Sequence, residues 1–419
     1  MNIGIIGLGT VGCGVVKTLQ NFPNVCIKKI VVKNINKKRN IDGLNQNMLT
    51  VDPYEIVNDP EIDTIVEVAG GVDGIFDVLV QAIKNKKNIV TANKELLAKK
   101  GCELYTLADE NGVTILFEAS VGGGIPIIMP IKTALKANKI TRIAAILNGT
   151  TNYILTQMAE HGANYDEVLK EAQDLGYAET DPTGDVEGFD ASYKIAILAS
   201  LAFKKKIDIS KIYKEGITKV TSRDMLYASE LGYTIKLIAL AKDKNGAVDV
   251  RVHPMLVPNT STLAKVNNVL NAITLKGFPI GEITFTGPGA GEFPTASAVV
   301  GDILAIEADK NSKLLADNTH SHQEQEFANQ IDISQTENKY YISLNVANIP
   351  GVIGLVGTIC GQCGINLSSL IQKGILEDGT AEVIVITEQT KEENVQNAVS
   401  LIKQNERINK INNIIRVMD

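Results

Sequence analysis

An α/β fold in three domains is what this sequence of 419 residues predicts, and three patterns carry that expectation. Short apolar runs alternate with helical segments over the first 120 residues, which implies a parallel sheet covered by helices. The runs are NIGIIG at the start, IKKIVV at 27–32, DTIVEVA at 63–69, NIVTAN at 88–93 and VTILFEAS at 113–120. Between about 131 and 287 the pattern shifts to longer helices, for instance 190–203 and 224–242, followed by the alternating runs VDVRVHPMLVP and NAITLKG, so a second, α+β domain is expected there. The helical segment 294–309 carries an apolar stripe suited to covering the first sheet. A polar stretch rich in Asn, Gln, Ser, His and Glu then reads as a linker over 312–338. From 339 to 419 the order is strand, helix, strand, strand, helix, strand, a ferredoxin-like βαββαβ unit.

Gly7, Gly9 and Gly12 form G-x-G-x-x-G directly behind the first strand and ahead of a helix. The first glycine allows the tight turn, the second lets a pyrophosphate approach the backbone, and the third permits close packing of helix on strand. The first domain, about 1–130, is therefore expected to be a Rossmann-type dinucleotide-binding sheet, completed by a helix at about 288–311. An NAD-preferring site would carry an acid at the end of the second strand to meet the ribose hydroxyls. Here the strand runs on into Lys33, Lys37, Lys38 and Arg39 without one, which favours the 2′-phosphate of NADP(H) and leaves NAD(H) possible.

Composition excludes several classes. Hydrophobic residues make up 44% and charged residues 21%, a globular balance, and 41 basic against 48 acidic residues leave a net charge of −7. That charge offers no basic field for nucleic acid. The longest apolar run, 195–203, is too short for the ~20 residues a bilayer demands. MNIGIIGLG lacks a basic region and reads as a strand, not a signal peptide, and five scattered cysteines suit a reducing cytoplasm. Cys360 and Cys363, though C-x-x-C, sit inside a helical repeat, and core packing explains them better than redox or metal work. His320 and His322 fall in the linker, and His253 beside Pro254 reads as structural.

TANK at 91–94, FEASVGGGIPII at 117–128, LNGTTNYIL at 147–155 and GYAETDPTGDVEGFDASYKIAIL at 176–198 together resemble homoserine dehydrogenase over about residues 1–310. The resemblance implies reversible hydride transfer between L-aspartate 4-semialdehyde and L-homoserine. It implies Lys194 and Lys94 as catalytic groups, with Glu179, Asp185, Asp190, Gly149 and Thr150 at the substrate. Cofactor contacts would come from Gly7, Gly9, Thr10, Val11, Gly12, Lys33, Arg39, Ala69, Lys94 and Gly291. Glu118, Val121, Gly123 and Ile125 resemble the family's site for a monovalent cation, Na⁺ or K⁺, although a glycine hinge explains that loop equally. Chemistry agrees in part: an α-ammonium needs carboxylates, and Asp190 and Lys194 stand four apart on one helical face. In the reducing direction Lys194 would donate a proton; the reverse needs a neutral lysine, so oxidation should rise with pH, free lysine titrating near ~10.4.

The last segment, about 339–419, resembles an ACT domain in YYISLNVA, the Asn348 to Gly351 turn and GINLSSLIQKG. This implies an amino-acid effector, most simply L-threonine, near Gly351 and Asn366, and pairing with a second copy as a homodimer or homotetramer. The family more often has Asp where Asn348 stands. No fused aspartate kinase is expected ahead of residue 1. A non-enzymatic sensor of dinucleotide and amino acid, or a different dehydrogenase on the same scaffold, are the alternatives.

Overall fold

The computed structural model describes residues 1–39, 41–42, 44–309 and 326–418. The histidines at 320 and 322 and most of the expected linker lie outside the described residues. The strands are β1 (Asn2–Ile6), β2 (Cys26–Val31), β3 (Leu49–Thr50), β4 (Thr64–Glu67), β5 (Asn88–Thr91), β6 (Ile115–Leu116), β7 (Lys139–Ile146), β8 (Tyr213–Lys214), β9 (Tyr233–Lys244), β10 (Ala247–Pro258), β11 (Leu270–Phe278), β12 (Gly281–Pro288), β13 (Asn329–Gln330), β14 (Glu337–Ala347), β15 (Leu367–Ile375), β16 (Thr380–Thr387), β17 (Thr390–Lys391) and β18 (Ile408–Val417).

They fall into two compact units, each assembled from three segments. The first unit combines residues 1–149, 190–210 and 270–328; the second combines 150–189, 211–269 and 329–419.

In the first unit β1 to β6 form a parallel sheet in the order β3-β2-β1-β4-β5-β6. This is the doubly wound order in which the winding reverses between β1 and β4, and folds of this kind bind ligands at the carboxyl ends of the strands there. The helices Thr10–Leu19 and Glu292–Asp309 cover one face. Their Val15, Leu19, Ala296, Val299 and Ile303 share a buried core with Ile3, Ile5 and Ile30. Gly14 lets the two helices close up, since a Cβ there would lie 2.6 Å from the Glu292 carbonyl. The run expected as a strand over 113–120 is paired only at Ile115–Leu116. Beyond it the chain turns at residues 118–120, where the Glu118 amide donates to Asp302 Oδ2 at 2.8 Å.

The second unit corrects two expectations. Residues 224–242, expected as one helix, are a helix Ser222–Glu230 and then strand β9. Gly232, at φ +82°, ends the helix, and the run from Ile235 to Ala241 is buried on both faces as a central strand is. The final segment has the expected βαββαβ order, with antiparallel neighbours β18-β14-β16-β15. It belongs with residues 211–269 instead of standing apart as a third unit. Two contacts explain this. β18 pairs in parallel with β10 at Met255–Arg416 and Leu256–Val417. The sheet face opposite its own helices meets Ser222–Glu230: Tyr341 and Asn413 both donate to the buried Asp224 at 3.0 Å, and Arg223 pairs with Glu382 at 2.9 Å. The described end of the expected linker is also built in, with β13 pairing to β10 and the Ile331 amide donating to the Val248 carbonyl. Backbone pairing of this kind needs no apolar side chains, which is why its composition reads as linker.

Cys360 packs in the core of the βαββαβ segment, where burial pushes its thiol up to about 11. His253 lies buried in β10, its Nδ1 3.0 Å from the Pro254 carbonyl. Among the described residues no helix is long and apolar enough to cross a membrane.

Candidate active site

The glycine loop divides its labour as its spacing implies. Gly7 has φ +103°, and a Cβ there would stand 2.8 Å from the Ala69 backbone. A Cβ on Gly12 would stand 2.3 Å from the Gly7 carbonyl, so the helix start is pressed onto the strand end. At Gly9, by contrast, a Cβ would meet nothing within 4 Å. That open position caps the N-terminus of the helix Thr10–Leu19, where Thr10 and Val11 form the first turn and the amides favour an anion. Beyond β2, Lys33, Lys37 and Lys38 are exposed, and Arg39 donates to the Asn34 and Lys37 carbonyls at 3.1 and 2.9 Å. Lys37, Lys38 and Arg39 line one cleft with Ile35, Leu44 and Gln46. Gly291, at φ +121°, opens the loop into Glu292–Asp309.

At the same carboxyl edge of the sheet, β5 runs out through Asn93 into the helix Lys94–Asn111. The Asn93 side chain caps that helix by accepting from the Leu96 amide at 3.1 Å, which fixes where Lys94 leaves the backbone. Lys94 Nζ reaches Asp190 Oδ1 at 2.8 Å. Asp190 Oδ2 is 2.6 Å from Lys194 Nζ, one turn along the helix Phe189–Phe203. Lys194 also donates to the Leu147 carbonyl at 2.7 Å, and Asn148 Nδ2 donates to Asp190 Oδ2 at 3.0 Å. The pair is no surface ion pair: the Asp190 and Lys194 side chains are 9% and 11% exposed, while Lys94 is 41% exposed. Burial pushes the Asp190 carboxyl up, but the ammonium groups of Lys194 and Lys94 overcome it and hold it well below the usual carboxylate range. One ionised carboxylate thus joins a deep and a shallow lysine, an arrangement suited to moving a proton and stabilising negative charge on one oxygen.

LNGTTNYIL contributes more than its glycine. Asn148 and the Leu147 carbonyl belong to the lysine cluster, and sequence reasoning passed over both, although the motif that held them was in view. Gly149 begins the helix Gly149–His161. In the second unit Thr150 donates to the Tyr177 carbonyl at 2.7 Å, and Asn152 donates to the Val266 and Asn268 carbonyls at 3.0 and 2.9 Å. Glu179 is exposed there, its carbonyl accepting from Gln173, and Asp185 lies in the short helix Thr183–Val186.

Glu118 holds a helix start. Its carboxylate accepts from the Ile127, Ile128 and Met129 amides at 2.6, 2.8 and 2.7 Å, capping the helix Ile128–Lys132. Val121, Gly123 and Ile125 follow in the same loop. The two expected effector residues stand apart along the chain. Gly351, at φ +88°, starts the helix Val352–Gln362, and Asn366 follows its end. The eleven-residue helix between them is roughly 16 Å long, so they flank its two ends and one amino acid does not span both within one copy.

Comparison with known proteins agrees with this geometry. A family model described as homoserine dehydrogenase matches residues 126–304, and one described as its NAD-binding domain matches residues 7–118. The homoserine dehydrogenase of Synechocystis sp. is 43% identical over 436 residues, covering 100% of this chain and 99% of that one. The crystal structure of a homoserine dehydrogenase from Thiobacillus denitrificans superposes with a TM-score of 0.92 at 36% identity, covering 100% of this chain and 98% of that one. A hyperthermophilic archaeal homoserine dehydrogenase in complex with NADPH gives a TM-score of 0.64 at 28% identity over 74% of this chain and 98% of that one. These matches leave the sensor alternative without support. The chain belongs to the homoserine dehydrogenase family of NAD(P)-dependent oxidoreductases.

Proposed function

We propose that Lys194 is the proton donor and acceptor of the reaction, that Lys94 steadies the carbonyl oxygen, and that Asp190 holds both. The observation that carries this reading is the single buried carboxylate bonded to two lysines, at 2.6 and 2.8 Å. When bound, the nicotinamide supplies or takes the hydride at C4 of the semialdehyde or alcohol. Lys194 as ammonium donates a proton to the oxygen at C4 as its charge develops, and Lys94, nearer solvent, stabilises the same charge. In the reverse direction neutral Lys194 takes the hydroxyl proton of homoserine, so oxidation rises with pH. Glu179 and Asp185 would meet the substrate's α-ammonium, and Gly149 and Thr150 would also contact the substrate, in a substrate-binding and subunit-pairing region over 131–287. Lys194→Ala should lower kcat for homoserine oxidation far more than it raises KM, because its contact strengthens in the transition state. A kcat near wild type would overturn the assignment.

The glycine loop, Ala69, Lys94 and Gly291 would hold the dinucleotide, and the fit is favoured by the open space at Gly9. NADP(H) preference is supported by the cations Lys33, Lys37, Lys38 and Arg39 where an acid would select NAD. Comparing kcat/KM for the two cofactors tests it. A monovalent cation, Na⁺ or K⁺, would sit among carbonyls at 121–125. Support for this reading comes from Asn271, buried against Gly289 with its amide oxygen unpartnered, Gly289 itself packing on Gly123. The βαββαβ segment would act as an ACT-type domain binding L-threonine between two copies, since Gly351 and Asn366 are too far apart to share a ligand in one. That requires at least a homodimer.

A further inference from the structure

Glu67 ends β4 with a carboxylate that is 0% exposed. Its neighbours in the strand, Ile65 and Val66, are equally buried and apolar, so the core at this level would close without a charge. An ionisable group in such a place is costly unless its hydrogen bonds are complete. Here they are numerous. Oε1 accepts from the Ala69 and Gly70 amides at 2.9 and 3.0 Å, and Oε2 accepts from the Thr91 hydroxyl at 2.7 Å. Thr91 Oγ1 in turn accepts from the Asn93 amide at 3.0 Å, and Asn93 Nδ2 donates to the Gly71 carbonyl at 2.6 Å. The Glu67 carbonyl takes the Ala92 amide at 3.1 Å. Burial pushes the carboxyl's pKa up, and the bonds from Thr91, Gly70, Ala69 and Asn93 oppose it.

The bonds therefore cross between two loops. One, 68–71, turns back through Gly70 and Gly71 at φ +74° and +86°. The other, 91–94, carries the helix cap Asn93 and then Lys94. We propose that Glu67 is a positioning residue that clamps these loops together and acts on the reaction through Lys94. The inference rests on the reading that Lys94 serves the chemistry.

The test is a double-mutant cycle in the full chain, with homoserine oxidation followed at a temperature where thermal unfolding shows every variant folded. Glu67→Ala should lower kcat about tenfold or more, with a smaller change in KM for homoserine. Glu67→Gln should recover to within about threefold of wild type, because its amide oxygen still accepts from Ala69 and Gly70. In a Lys94→Ala background, Glu67→Ala should cost less than about twofold further, since residues acting as one unit are not additive. A kcat within twofold of wild type for Glu67→Ala, or full additivity beside an impaired Lys94→Ala, would overturn the inference alone. Full activity in Lys94→Ala by itself would remove the reading of Lys94 and the inference with it. Should Glu67→Ala not fold, Thr91→Val breaks one bond of the clamp and takes its place in the cycle with the same expected pattern.

Discussion

Replacing Asp190 by Asn removes one charge and leaves the shape nearly unchanged, so it isolates what the carboxylate does for the two lysines. The arms are unequal. Lys94, 41% exposed, is screened by water, and such a contact contributes about 1 kcal/mol or less. The Lys194 arm is buried at 2.6 Å, and breaking a buried pair from one side costs roughly 3–5 kcal/mol. Asn keeps one oxygen toward Lys194 Nζ, so the lower end, about 3 kcal/mol, is the better figure. At ~1.36 kcal/mol per tenfold, that loss expressed in the transition state lowers kcat/KM roughly 150-fold. Absorbance of the reduced nicotinamide gives kcat and KM, and thermal unfolding shows whether folding suffers too. The folded-state pKa of Asp190 is lowered, so its stabilisation is present above the unfolded value near ~3.9 and is lost as pH falls through the folded one. Wild type and variant should therefore converge in stability in acid. A kcat/KM within threefold of wild type at neutral pH would refute the assignment of Asp190 as the group that holds Lys194.

Further outcomes follow from the same geometry. Gly9→Ala should raise the KM for NADP while leaving the melting temperature alone, because the new methyl meets no protein atom, whereas Gly12→Ala should destabilise through its clash with the Gly7 carbonyl. Burial pushes Asp302 up to about 8, with the Glu118 amide opposing. The folded state thus binds the extra proton between about pH 4 and 8, stability falls as pH rises across that window, and denaturant midpoints of Asp302→Asn should show a flatter profile. Asn366→Ala should abolish any inhibition by threonine while sparing basal turnover; calorimetry showing unchanged threonine binding would refute the effector site.

How much was legible in the sequence follows the range of each interaction. The parallel sheet and the glycine loop announce themselves because strand period, turn and helix start are local, and Asp190 and Lys194 lie one helical turn apart. Glu67 and Asn148 sit beside recognised motifs, yet their roles come from partners 24 and 42 positions away, which no spacing rule reaches. The helix expected over 224–242 fails for a physical reason: a short apolar run such as 237–241 fits a buried helix and a buried central strand equally, and only pairing with β10 decides. Gly232, at φ +82°, was the one local sign of a break.

The βαββαβ segment carries the last step. A regulatory domain hung on a loose linker can move without disturbing what it regulates, and truncation would then spare the rest. Here β18 is hydrogen-bonded to β10, and Arg416, 3% exposed, ties that strand to Glu392 at 2.7 and 2.8 Å and to Glu215 at 3.0 Å. Arg251 on β10 reaches back to Thr336 and Asn338 at 3.1 and 2.8 Å. Cutting the chain after Ala328 would strip these partners from buried charges and bare the polar face of Ser222–Glu230, each a large cost. On the proposed reading, then, an amino acid bound at the segment acts on a continuous sheet rather than through a tether. Its influence is limited to the difference in its affinity for two arrangements of that sheet. Point substitutions at Gly351 or Asn366, and not deletion, are the perturbations that separate regulation from folding.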